Sequence, residues 1–121
     1  MGRGRCRRCA RFWTGIREQT APFFAGETPL WRLSLPVQTP VVDLPGAQLL
    51  EWGGALRWLR AAEHAGTDAG AVREAASRAG GHATLFRAAH KAQGAFAPLP
   101  PVLARLHRDL KRAFDPAGIL N

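Results

Sequence analysis

A glycine pair set between two tryptophan-bearing apolar runs constrains this chain more than any other stretch. It lies in QLLEWGGALRWLR, Gln48 to Arg60, with Gly53-Gly54 at the centre and Trp52 and Trp58 on either side. Two-residue hairpin loops of type I′ or II′ need positive φ, which glycine adopts without steric penalty. A turn at Gly53-Gly54 sets Trp52 across from Ala55, Leu50 across from Arg57 and Leu49 across from Trp58. The same residues admit a helix, because Leu49, Trp52, Leu56 and Leu59 fall at helical spacing and the segment runs on into Ala61-Ala62-Glu63. Two adjacent glycines inside a helix cost roughly 2 kcal/mol relative to alanine. The pattern therefore favours the hairpin and keeps the helix as its rival.

The flanking segments fall into place around that hairpin. Residues 1–10 read as a disordered basic arm of Gly, Arg and Cys with nothing to bury. Phe12, Trp13 and Ile16 give a short amphipathic helix that ends before Pro22, and Phe23-Phe24 is apolar enough to be buried. Gly26 to Pro29 is a turn. Leu30 to Leu35 alternates strictly, with Trp31, Leu33 and Leu35 on a buried face and Leu30, Arg32 and Ser34 on the other. Pro36 stops that strand. Pro36, Pro40 and Pro45 make residues 37–45 an extended loop, at the surface or at a sheet edge.

Beyond the hairpin, Glu63 to Asp68 reads as a loop with Thr67 or Asp68 as a helix N-cap. Ala69, Val72, Ala75 or Ala76, and Ala79 form a narrow stripe, and Gly80-Gly81 closes that helix with one glycine in the left-handed region. His82 to Arg87 is a strand, and Ala88 to Gly94 a polar loop. Pro101 opens the last helix. Its buried stripe is Val102, Leu103, Leu106, Leu110, Ala113 and Phe114. Its wet face is Arg105, Arg108, Lys111 and Arg112. The order is helix, strand, hairpin, helix, strand, helix. That is an α+β fold over residues 11–121, with a mostly antiparallel sheet and helices packed on one face.

Composition excludes some classes. At 121 residues there is room for one small domain, and 46% apolar residues exclude a disordered chain. Lys and Arg outnumber Asp and Glu by 17 to 9, which invites a nucleic-acid reading. Five of those charges (Arg3, Arg5, Arg7, Arg8 and Arg11) precede the first apolar cluster, and without them the net +8 falls to +3. A stand-alone basic module, binding nucleic acid through the arm and the last helix, is the alternative function. Its surface lacks interleaved aromatics if Trp31, Trp52 and Trp58 all serve the core. Cys6 and Cys9 form one C-x-x-C, and His64, His82, His90 and His107 are scattered without ligand spacing, so no metal site is expected. No run approaches the roughly 18 apolar residues of a membrane span, and no apolar h-region follows the basic start. Both observations point to the cytoplasm.

Little in the chain carries chemistry by itself. It has no G-x-G-x-x-G, P-loop or G-x-S-x-G. The candidates are His82 and Arg87, at the two ends of one strand after a glycine pair. His82 suits a base or a hydrogen-bond donor to a carbonyl or carboxylate, and Arg87 suits a bidentate carboxylate clamp. A histidine satisfied by backbone and an arginine that is merely solvated are the bland readings of the same two positions.

The blocks FWTGIREQTAPFF, PLWRLSLP, LPGAQLLEWGGALRWL, AGGHATLFR and PLPPVLARLHRDLKRAFDPAGILN stand in this order from Arg11 to Asn121. Together they resemble the C-terminal part of the FAD-binding subunits of bacterial glycolate oxidases. The closing FDPAGILN is similar to the signature that ends the wider vanillyl-alcohol-oxidase-type flavoproteins. The resemblance implies a cap domain that covers the isoalloxazine and substrate side of FAD. It implies a separate FAD domain and other oxidase subunits as partners, and a 2-hydroxy acid, glycolate, as substrate. The glycine-rich loops of the FAD domain have no counterpart in these residues. The chain is therefore expected to be a fragment that is inactive alone, holds no FAD by itself and leaves a large apolar face uncovered. The resemblance also supports the hairpin and turns Gly80 to Arg87, with His82 and Arg87, toward the flavin. It leaves the catalytic base unassigned.

Overall fold

In the computed structural model, residues 7–62, 68–90 and 94–119 are described. They form α1 (Arg7–Arg17), β1 (Leu30–Ser34), β2 (Gly46–Glu51), β3 (Leu56–Ala61), α2 (Ala69–Arg78), β4 (His82–Arg87) and α3 (Pro101–Phe114). Short 3-10 turns cover Pro22–Phe24 and Trp52–Gly54. The four strands make one antiparallel sheet in the order β2-β3-β1-β4. The fold is α+β.

The hairpin is real and its register is the expected one, with Leu49 opposite Trp58 and Leu50 opposite Arg57. The turn is wider than two residues. Pairing ends at Glu51 and Leu56, and Trp52 sits in the turn at φ 52 instead of facing Ala55 as a strand residue. Gly53 and Gly54 follow at φ 62 and 98. Three consecutive left-handed residues carry the chain round, and the glycines supply the two for which that costs nothing.

Alternation in β1 buries Trp31 and Leu33, and Leu35 beyond it, as expected. They join Leu59, Ala61, Val72, Ala76, Ala83 and Leu85 in the main core. Two layers cover this Trp31 face. One is α2, whose small stripe of Ala69, Val72 and Ala76 allows a close approach. The other is the proline-rich loop, with Val42 and Leu44 packed down. Arg57 pins that loop from below. It is 2% exposed, and its guanidinium donates to the carbonyls of Gly54, Pro40 and Thr39. A Schellman motif ends α2, with Gly80 at φ 83 and Gly81 N–H bonded to the Ala76 carbonyl at 2.9 Å.

The helices do not share one face. On the opposite side of the sheet Ile16 of α1, Phe24, Leu30 and Trp58 form a second core cluster. Leu30 was expected to face outward with Arg32 and Ser34, and is instead fully buried there. Two separate apolar pieces, α1 and the Pro22–Phe24 turn, converge on one end of that face. The alternation within β1 carries no sign of them, which hid the pairing.

Other expectations are also corrected. Helix α1 starts at Arg7, so Arg7 to Ala10 belong to it and not to a disordered arm; residues 1–6, with Cys6, lie outside the described residues. The loop expected over Glu63 to Asp68, Thr67 included, falls largely outside them too, and Asp68 stands at the N-cap of α2 without a side-chain cap bond. The stripe on α3 is not buried. Val102, Leu103, Leu106, Leu110, Ala113 and Phe114 are all exposed, Phe114 to 82%. The amphipathic pattern correctly marks an apolar face, but no other described element covers it.

Candidate functional site

The second face of the sheet is covered at one end only, and the uncovered part is where polar side chains collect. The registers of β3, β1 and β4 set them out as a grid. One row across the three strands is Trp58, Arg32 and Thr84; the next is Leu56, Ser34 and His82. Neighbouring strands are about 4.8 Å apart and same-face residues on one strand about 6.6 Å apart. Above the grid opens a cavity of ≈ 310 Å³ lined by Arg32, Ser34, Trp52, Ala55, Leu56, His82 and Thr84.

Trp58 anchors the covered side of this grid. Its ring meets Phe24 and Phe86 edge-on, at centroid distances of 5.3 and 5.1 Å. Its indole N–H donates to the Glu51 carboxylate at 2.6 Å. Pairs of this kind contribute roughly 0.5–1.5 kcal/mol each beyond area burial. The Arg32 guanidinium lies over the same ring, 6.0 Å from its centroid. Trp52 stands at the rim, 81% exposed, not in the core where the sequence had placed it. The strained backbone at φ 52 holds it there.

The two residues singled out from sequence are not brought together. His82 is exposed and lines the cavity. It borders a second, larger apolar groove of ≈ 630 Å³ as well, between Gly80–Thr84 and Phe96–Leu103. Arg87 lies at the other end of β4, about 16 Å away along the strand. It donates to the Phe24 carbonyl and so ties β4 to the second core cluster. Five residues put both on the same strand, but a register shift between Leu30 and Trp31 turns the far end of β4 toward Phe24.

Sequence reasoning missed Arg32. Its signal was its place on the polar face of β1, two residues from Ser34. What makes it a site residue is the pairing of β1 between β3 and β4, over separations of 26 and 52 residues for Arg32. The arrangement presents one guanidinium, an imidazole, two hydroxyls and one indole around a space for a small molecule. Among the described residues no group of three or more metal-ligating side chains gathers, and no helix is long and apolar enough to cross a membrane.

The chain is similar to the glycolate oxidase subunit GlcE of Escherichia coli (strain K12), at 47% identity over 111 residues. The match covers 92% of this chain and lies in the C-terminal part of the relative. The chain spans 30% of that relative's length. No family-level sequence profile matches it, and no solved structure does.

Proposed function

We propose that this chain is the C-terminal cap of a glycolate-oxidising flavoprotein subunit and works joined to an FAD-binding domain and partner subunits. The extent of the match supports this reading, since 47% identity runs through 92% of the chain, sheet and helices alike. The cavity suits such a role. Arg32, Ser34, His82 and Thr84 supply polar contacts on its floor, and the exposed Trp52 ring offers a flat apolar wall. These residues fit the ring and substrate side of a flavin. The phosphate-bearing part of FAD belongs, in this reading, to the other domain.

When bound, the flavin supplies hydride acceptance. The cap's own residues bind and orient the 2-hydroxy acid and exclude water from it. His82, at the cavity wall, faces the reacting side and hydrogen-bonds the substrate. The uncovered apolar stripe of α3 rests on the FAD domain, which removes it from water.

The test replaces the C-terminal part of GlcE with this chain and assays the assembled oxidase. The expected result is a yellow complex that reduces an electron-accepting dye when glycolate is added. A complex that retains FAD and assembles, yet leaves glycolate untouched, overturns the reading.

A further inference from the structure

We infer that Arg32 is the carboxylate anchor of the cavity and that His82, diagonal to it across the sheet, takes the neighbouring hydroxyl of a small 2-hydroxy monocarboxylate. The inference rests on the functional reading above and names its substrate-binding residues.

The state of the guanidinium is the first argument. The other arginines of the sheet are committed to the protein itself: Arg57 donates to three carbonyls, Arg60 to the Phe23 carbonyl at 3.4 Å and Arg87 to the Phe24 carbonyl. Arg32 has no hydrogen-bond or ion-pair partner among the described residues; its contact is the face of Trp58. That contact leaves the N–H groups of the fork free to meet a carboxylate with two parallel bonds.

The second argument is rigidity. The ring beneath Arg32 is held by Glu51, Phe24 and Phe86, so the cation sits on a platform that does not need ordering when the ligand arrives.

Charge is the third. No acidic side chain lines the cavity, whose other walls are Ser34, Trp52, Ala55, Leu56, His82 and Thr84. Glu51 is spent on the indole N–H of Trp58, on the far side of that ring's strand from Arg32. A single guanidinium among these walls suits one carboxylate. A second carboxylate would lie against Leu56 or Trp52 without a partner, at a desolvation cost.

Geometry supplies the fourth. Thr84 is directly opposite Arg32 and His82 is two residues before it, so their Cα atoms stand on a sheet diagonal of roughly 7–8 Å. Ser34 and Thr84 fill the two remaining corners. A short acid bound at Arg32 brings its 2-hydroxyl toward the imidazole, with a hydroxyl on either flank.

The experiment titrates this 121-residue chain with glycolate, acetate and glycolamide, following tryptophan fluorescence and the side-chain NMR signals of Arg32, His82 and the Trp52 indole. Expected is saturable binding of glycolate, several-fold weaker binding of acetate and none of the uncharged glycolamide. Arg32→Gln weakens glycolate at least tenfold, and Arg32→Lys recovers part of it. His82→Gln closes the gap between glycolate and acetate while leaving acetate unchanged. Unchanged thermal midpoints show that each variant keeps the fold. Absence of glycolate binding by the parent chain, equal binding of glycolamide, or an Arg32→Gln variant that binds glycolate like the parent overturns the inference. A GlcE replacement that assembles without oxidising glycolate, beside intact Arg32-dependent binding, removes the oxidase reading alone. An active replacement whose KM for glycolate is insensitive to Arg32→Gln removes the anchor alone.

Discussion

Trp58 donates its indole N–H to Glu51 at 2.6 Å, which ties the largest side chain on one sheet face to the last residue of the neighbouring strand. The bond joins the hairpin turn to the second core cluster. Glu51→Ala is expected to cost about 1 kcal/mol, the net contribution of an ordinary partly buried hydrogen bond. Trp58→Phe removes the same donor. A double-mutant cycle by chemical denaturation should return a coupling of about 1 kcal/mol; additive losses would show that the bond contributes nothing.

Arg57 makes a different demand. Its guanidinium serves three carbonyls from a position 2% exposed. Arg57→Met leaves the Gly54, Thr39 and Pro40 carbonyls without that donor and should cost about 3 kcal/mol or more. Arg57→Lys, with one ammonium in place of a fork, should recover only part. Thermal unfolding of the two variants decides between a fork and a mere buried charge.

Trp52 is the strained member of the turn. A left-handed conformation costs a bulky L-residue about 1–2 kcal/mol, against about 0.5–1 kcal/mol of extra chain entropy for glycine. With the side chain 81% exposed, little packing offsets the strain. Trp52→Gly should therefore stabilise the chain slightly, by about 0.5–1 kcal/mol. Gly53→Ala, at φ 62, should destabilise it by about 1 kcal/mol. Matching denaturation midpoints for parent and Trp52→Gly would mean that the turn is relaxed.

Gly81 lies against the end of β1, next to the site. A Cβ there would come within 2.0 Å of the Ser34 carbonyl oxygen and 2.8 Å of Leu35 Cδ2. Gly81→Ala must push β4 away from β1 and should cost about 3 kcal/mol. NMR shifts at Ser34 and His82 should move with the loss of stability. A variant with parental shifts and midpoint would show that the strands have slack here.

The stripe on α3 behaves oppositely. Leu106→Glu with Leu110→Glu touches side chains that are 51% and 48% exposed. Surface changes of this kind usually stay within about 0.5 kcal/mol each. The double variant should keep its thermal midpoint and lose any concentration-dependent association seen by sedimentation. A large drop in midpoint would place the stripe inside the domain.

The parts legible in sequence were those written locally. Period-two alternation marked Trp31, Leu33 and Leu35. The glycine pair set the hairpin register, and Gly80 ended its helix. The face of Leu30 was not legible, because Ile16 and Phe24 reach it from elements that pattern alone cannot bring together. Nor was the exposure of α3: an apolar face says that something covers it, not what. His82 was found because it begins a strand after two glycines. Arg32 was on the page as an outward residue, but its meaning depends on Trp58 and Thr84, which long-range pairing alone sets beside it.

The position of β1 between β3 and β4 has a consequence for synthesis. The strand made first waits for both its neighbours: β3 is complete only at Ala61 and β4 at Arg87, which is 53 residues after Ser34. At 5–20 residues per second, that is roughly 3–10 s before the strand that carries Trp31 and Leu33 has both neighbours to pair with. Slower translation between residues 36 and 87 would lengthen that window without altering one contact in the finished domain. It would show as a rising insoluble fraction of an unchanged sequence, relieved by a chaperone that holds extended apolar segments.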